Sequence, residues 1–204
     1  QAESQEAAAG PGEYHATGMA KVAAAAEWLR TMLEGTQANH KFLVFGHHHD
    51  VMDAIQSQVV EQGHHGFVRI DGRTDARLRH EYAGRFRHDP DCRVALLSIE
   101  AAGVGMNFCT ANAIAFVEMP RSVALLEQAE ARAHRKGLQN AVNVYFLCAR
   151  GTIDEELWGK LGRARDALRA VHDGDDVKEG LQCHRVFGLE KGDLQPHAGE
   201  EAFL

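Results

Sequence analysis

The sequence predicts an α/β fold, a three-layer α/β/α domain built on a mainly parallel sheet. Five short, predominantly apolar runs point to it: Phe42–Phe45, Phe67–Ile70, Val94–Ile99, Ala113–Val117 and Val142–Cys148. Segments of helical periodicity alternate with them, and glycines, acids or prolines close most of the runs. Short apolar strands alternating with helices belong to a parallel sheet covered on both faces.

Each element has its own signal. Met19, Val22, Ala26, Leu29 and Leu33 recur at helical spacing and predict a helix from Gly18 to about Glu34. Phe42-Leu-Val-Phe45 then runs into Gly46 as a strand, and an amphipathic helix follows from about Asp50 to Gln62. Phe67-Val-Arg-Ile70 is the second strand, closed by Asp71-Gly72. Thr74-Asp75 can cap the next helix, which Asp89-Pro90 stops after about His88. After the third and fourth strands comes a helix carrying Gln128, Arg132 and Arg135. The fifth strand is followed by Gly151 and a helix from about Thr152 to His172. Residues 1–17, rich in Ala, Gly and Glu, read as a flexible segment. Residues 173–204 read as an acidic tail or linker, and 18–172 as the folded domain.

Composition narrows the class without choosing a partner. The 204 residues are 45% hydrophobic and 25% charged, ordinary for a globular chain with a substantial core. A start at Gln1 rather than Met reads as a fragment or a processed product. No apolar run approaches the roughly 18 residues of a membrane span, so no membrane partner is expected. Cys92, Cys109, Cys148 and Cys183 form no Cys-x-x-Cys pair and read as reduced, structural and intracellular. The net charge of −7 is concentrated at the ends. Residues 1–17 hold three acids and no Lys or Arg, and residues 172–204 hold eight acids against three. The middle is close to neutral and neither demands nor excludes a polyanion.

Ligand sites in parallel sheets lie at the carboxyl ends of the strands. Here those ends are His47–His49, Asp71–Thr74, Glu100–Asn107, Glu118–Ser122 and Ala149–Gly151. Gly103 and Gly105 follow the third strand, where glycine lets backbone approach a phosphate or take positive φ; a plain strand-to-helix turn accounts for them equally. No Gly-x-x-x-x-Gly-Lys-Ser/Thr loop occurs, so the usual nucleotide cradle is lacking. His47-His48-His49 and His64-His65 lack a partner at ligand spacing, and no metal site is expected. Asp154-Glu-Glu156 opens a helix, where acids suit the macrodipole, and reads as capping.

Residues 128–137, Gln-Ala-Glu-Ala-Arg-Ala-His-Arg-Lys-Gly, carry the sharpest chemistry. On a helix Gln128, Arg132 and Arg135 fall at i, i+4 and i+7 and share a face. Two guanidiniums aimed one way can neutralise charge developing on a transferred phosphoryl group. The plainer alternative is a solvated helix face with a Glu130–His134 pair.

In order, Lys41-Phe-Leu-Val-Phe-Gly-His-His48, Asp53-Ala-Ile55, Ile70-Asp-Gly72, Ser98 through Phe108 and Gln128 through Gly137 resemble the second RecA-like lobe of Swi/Snf-type superfamily-two ATPases. The Phe-x-His-His and Asp-Ala-Ile pieces are most similar to the annealing helicases, which rewind DNA and remodel stalled forks. The resemblance implies a RecA-like domain that closes over ATP held, with Mg2+, mainly by an N-terminal RecA-like lobe of the same protein. It implies catalytic roles for Arg132, Arg135 and Gln128, and nucleotide contacts at Gly103, Gly105, Arg132 and Arg135. His47, His48, Asp71, Gly72 and Ser98 would face double-stranded or forked DNA, in a nuclear protein.

Three positions depart from the family pattern. Glu100 puts an acid where a basic or neutral residue is usual. Arg121-Ser-Val123 stands for Trp-Asn-Pro, and Leu138 for the Gln after the last glycine. They suit an alternative, a degenerate lobe kept as a non-catalytic interaction domain. An ordinary dinucleotide-binding enzyme is disfavoured, because Phe45-Gly-His-His follows the first strand in place of Gly-x-Gly-x-x-Gly.

Overall fold

The computed structural model describes residues 11–100, 106–133, 142–171 and 181–187; for Pro11 and for everything beyond residue 165 only the backbone is described. The elements in chain order are α1 (Pro11–Gly35), β1 (Phe42–Gly46), α2 (His49–Glu61), β2 (Phe67–Ile70), α3 (Ala76–His88), β3 (Val94–Ser98), β4 (Ala113–Phe116), α4 (Val123–Ala133), β5 (Val142–Cys148), α5 (Ile153–Val171) and β6 (Leu181–Phe187). All pairings are parallel, in the order β2-β3-β1-β4-β5-β6.

Chain direction explains the layers. From β1 the chain steps left to β2 through α2, and every later crossover steps right. A right-handed crossover therefore puts α2 on one face and α3, α4 and α5 on the other. The two buried clusters follow this division. Val22, Trp28 and Leu29 of α1 pack with Val51, Met52 and Ile55 of α2 against one face. Ala83, Phe86, Leu126, Ala129 and Leu157 from α3, α4 and α5 cover the other. β1, β3 and β4 are buried along their whole length, as unbroken apolar runs require.

Register aligns an aromatic row through the sheet. Phe45 pairs with Phe116 and Phe116 with Phe146. Their rings stack at 5.3 and 5.1 Å between centroids, and Trp158 closes the row edge-on at 5.0 Å from Phe146. Each buried phenylalanine contributes about 1.5–3 kcal/mol of burial, and offset stacking adds to it.

At the opposite, amino-terminal edge a lysine does the joining. Lys41 Nζ donates to the carbonyls of Phe86, Asp89 and Cys92 at 2.5, 2.6 and 3.0 Å. Burial draws its pKa below the usual lysine range. Those carbonyls lie at the end of α3, where the helix dipole favours a cation.

Two boundaries differ from the sequence reading. α1 begins at Pro11, inside the segment expected to be flexible, because Tyr14 and Thr17 are buried against the rest of the fold. β6 lies in the segment expected to be a linker, because the free edge of β5 takes Leu181–Phe187 as a further parallel strand. The capping of α3 is as expected: Asp75 accepts from Leu78 N at 2.9 Å. Cys92, Cys109 and Cys148 are free thiols.

Candidate functional site

β1 sends its connection to one side and β4 to the other, which makes the gap between their carboxyl ends the topological switch point of the sheet. Glu118, two residues past β4, is fully buried there. Its Oε2 accepts from the backbone N–H groups of His47 and His48 at 2.7 and 2.9 Å, and its Oε1 lies 2.6 Å from His48 Nδ1. One carboxylate thus fixes the backbone and a ring of the loop after β1. Gly18 of α1 presses on the same group: a Cβ there would lie 2.7 Å from Glu118 Oε1. Only a residue without a side chain lets the helix pass.

Tyr14 of α1 packs against the same loop. It is 2% exposed, and its hydroxyl donates to Met119 O at 2.7 Å. His47 and His48 lie 5.5 and 5.3 Å from its ring, and the Arg121 guanidinium lies 4.8 Å from the ring centroid. Burial, then the Glu118 charge, pushes the Tyr14 phenol far up, so it stays a hydrogen-bond donor. Burial also draws the His47 imidazole below its ordinary pKa, with the charge of His48 and, least, that of Arg121 acting the same way against Glu118 and Glu100. The sequence named the Glu118–Ser122 strand end as a ligand position but gave no role to Glu118, Tyr14 or Arg121. A lone aromatic in an Ala- and Glu-rich segment was the available sign of Tyr14.

Along the same edge the expected nucleic-acid residues fall in strand order, Asp71 after β2, Ser98 at the end of β3 and His47–His48 after β1, but they are not equally accessible. His47 and His48 keep about a quarter of their side chains exposed, at 25% and 27%. Gly72 is exposed. Ser98 is buried, paired in register with Gly46. Asp71 is also buried and serves as an internal hub: its Oδ2 accepts from Arg69 and Arg73 at 3.0 Å each, and its Oδ1 from Arg73 N at 2.8 Å. A carboxylate enclosed in this way orders arginines and does not reach a phosphate.

The hub carries a stability prediction. Burial would raise the Asp71 pKa, but the hydrogen bonds from Arg73 and the charges of Arg69 and Arg73 prevail and hold it at about 2. A carboxyl depressed in the folded state stabilises fully above its unfolded pKa of about 3.9. That contribution is lost as pH falls through about 2. Asp71→Asn is expected to cost about 1–2 kcal/mol at neutral pH. In urea unfolding at several pH values, the gap from the parent chain should close between about pH 4 and pH 2. A constant gap would refute the assignment.

On α4 the buried face is Val123, Leu126, Ala129, Glu130 and Ala133. Gln128 is exposed and Arg132, one turn on, is half-buried on the same side. Arg132 O accepts from Phe108 N at 3.1 Å, which ties this helix end to the loop descending from β3. Gly103, Gly105 and Arg135 lie outside the described residues.

Asp154 exceeds its expected capping role. It is fully buried, and its Oδ2 takes Lys21 Nζ at 2.7 Å and Ala149 N at 2.9 Å. Among the described residues no group of three or more His, Cys, Asp or Glu is arranged to hold a metal, and no helix is long and apolar enough to cross a membrane.

A parallel six-stranded sheet with this switch-point loop and this α4 defines a RecA-like α/β domain of the helicase type. The profile of the helicase conserved C-terminal domain matches residues 24–137, and the chain belongs to that family. Its relatives are of the Swi/Snf and annealing-helicase type. The human DNA annealing helicase and endonuclease ZRANB3 is 36% identical over 179 residues, covering 88% of this chain and 16% of that protein. A Caenorhabditis elegans protein is 37% identical over 165 residues, covering 80% of this chain and 24% of its own length. It is the SWI/SNF-related matrix-associated actin-dependent regulator of chromatin subfamily A-like protein 1 homolog. The crystal structure of the C-terminal part of the Fun30 ATPase domain superposes with a TM-score of 0.61 at 28% identity, covering 68% of this chain and 44% of that one. The chain therefore spans a minor part of the curated relatives it matches.

Proposed function

We propose that this chain is the second motor lobe of an ATP-dependent DNA translocase of the annealing-helicase type, acting on replication-fork or repair DNA in the nucleus. The observation that carries the proposal is the shared face of α4, with Gln128 exposed and Arg132 half-buried beside it, in a chain of the helicase C-terminal family. This lobe is not expected to hold ATP alone, because the chain lacks a phosphate loop. A partner N-terminal lobe would hold ATP and Mg2+. Gln128, Arg132 and Arg135 would complete the site from this side, with Gly103 and Gly105 in the loop coupling it to DNA. ATP supplies the phosphoryl transfer. This chain supplies positive charge, and an amide that orients it, where negative charge grows.

Double-stranded or forked DNA would run over the carboxyl edge, past His47, His48 and Gly72, with Asp71 and Ser98 shaping the backbone beneath. Contacts there would be to phosphates and largely blind to sequence.

The test is ATP turnover with forked duplex, for the chain alone and for the chain joined to a first lobe carrying a phosphate loop. No turnover alone and DNA-stimulated turnover when joined is the expected pair of results. Hydrolysis by the chain alone would overturn the division of labour. A joined protein that binds DNA without hydrolysis would favour the degenerate interaction lobe.

A further inference from the structure

Arg121 is exposed on the carboxyl edge, five residues past β4, and among the described residues it enters no ion pair. Its neighbours on the same edge behave otherwise. Arg69 and Arg73 are both committed to Asp53 and Asp71, and Arg79 donates to Thr74 O. Arg121 instead sits over the Tyr14 ring, 4.8 Å from its centroid. A guanidinium stacked on a ring uses its face and leaves its N–H edge for an acceptor. The ring beneath cannot drift, being 2% exposed and tied through its hydroxyl to Met119 O.

We infer that Arg121 is a phosphate-binding residue at the switch point, held ready by Tyr14 and aided by a hydrogen bond from His47, and that its ligand is the nucleic-acid backbone. The inference rests on the DNA reading above and adds a contact to it. Three observations support it. Tyr14, 2% exposed, lies beneath the Arg121 guanidinium, so a ligand of Arg121 meets it from the solvent side. His47 stands beside Arg121 on the next strand end, with a quarter of its side chain exposed. Glu100 approaches His47 from the β3 side, 4.0 Å from Nδ1, whereas Arg121 follows β4 on the other side, and the Glu118 carboxylate is already engaged by the N–H groups of His47 and His48. The exposed carboxylate of Glu100 therefore lies on the side of the histidine away from Arg121. Glu118 serves as a positioning residue: by fixing the N–H groups of His47 and His48 it sets where the loop stands relative to Arg121.

The experiment measures binding of the 204-residue chain to a short fluorescent duplex by anisotropy, across a range of KCl concentrations. Arg121→Ala is expected to weaken binding roughly tenfold at low salt and to reduce the slope of log K against log salt by about 1. The loss should be the same on duplexes of unrelated sequence, because a phosphate contact carries no base information. Arg121→Lys should keep the slope, since the charge remains, while losing part of the affinity with the planar fork. A folded Arg121→Ala chain with unchanged affinity and slope overturns the Arg121 assignment and leaves the DNA reading standing. A parent chain that binds no duplex overturns both.

Discussion

Under the motor role proposed above, Arg132→Ala is expected to reduce fork-stimulated ATP turnover of the chain joined to a first lobe by about 10³-fold or more, the loss typical of an arginine that stabilises transferring phosphoryl charge. The reduction should fall on kcat more than on KM, because charge on the transferring group peaks in the transition state. Lysine should restore little, since it lacks the planar fork that meets two oxygens together. The fold should survive. Arg132 is half-buried at the end of α4, and the contact that ties this helix end to Phe108 uses its backbone carbonyl. Steady-state turnover with saturating forked duplex decides the matter, and a variant as fast as the parent would remove Arg132 from the reaction.

The second large effect concerns stability. Lys21→Ala is expected to destabilise the chain by about 3–5 kcal/mol, the cost of leaving one member of a buried ion pair alone. Lys21 and Asp154 retain only 7% and 1% of side-chain exposure at 2.7 Å separation. Lys21 Nζ also donates to Leu147 O at 2.9 Å, so one ammonium joins α1, the end of β5 and the start of α5. Without it the Asp154 carboxylate keeps one hydrogen bond, from Ala149 N, in a site closed to water. Pairing Lys21→Met with Asp154→Leu should cost much less than the single change, because neither charge is then stranded. Urea unfolding of the three variants measures this. A single variant losing under about 1 kcal/mol would mean that water reaches the carboxylate.

These two sites differ in how far the sequence announced them. The strands were legible because a sheet covered on both faces needs long apolar side chains in succession. Phe42–Phe45 and Ala113–Val117 have that pattern and lie within one residue of β1 and β4. The face of α4 was legible because helical periodicity is local. Glu118 and Asp154 were not: each owes its role to a partner far along the chain, His48 seventy residues away and Lys21 at a separation of 133. An acid read locally is a cap or a surface charge; only tertiary closure makes it a buried anchor. α1 began earlier than its periodicity for a related reason. Pro11–Thr17 offers one large side chain, Tyr14, and the carbonyl its hydroxyl meets lies 105 residues on. β6 was missed because Leu181–Phe187 mixes apolar and polar residues inside an acidic stretch, and its strand character comes from the open edge it meets.

The burial of Tyr14 has a pharmacological corollary. Beside the switch point, where many α/β proteins seat a coenzyme, this chain buries an aromatic ring of its own first helix. A small-molecule antagonist aimed at that point would have to displace the helix that carries the ring.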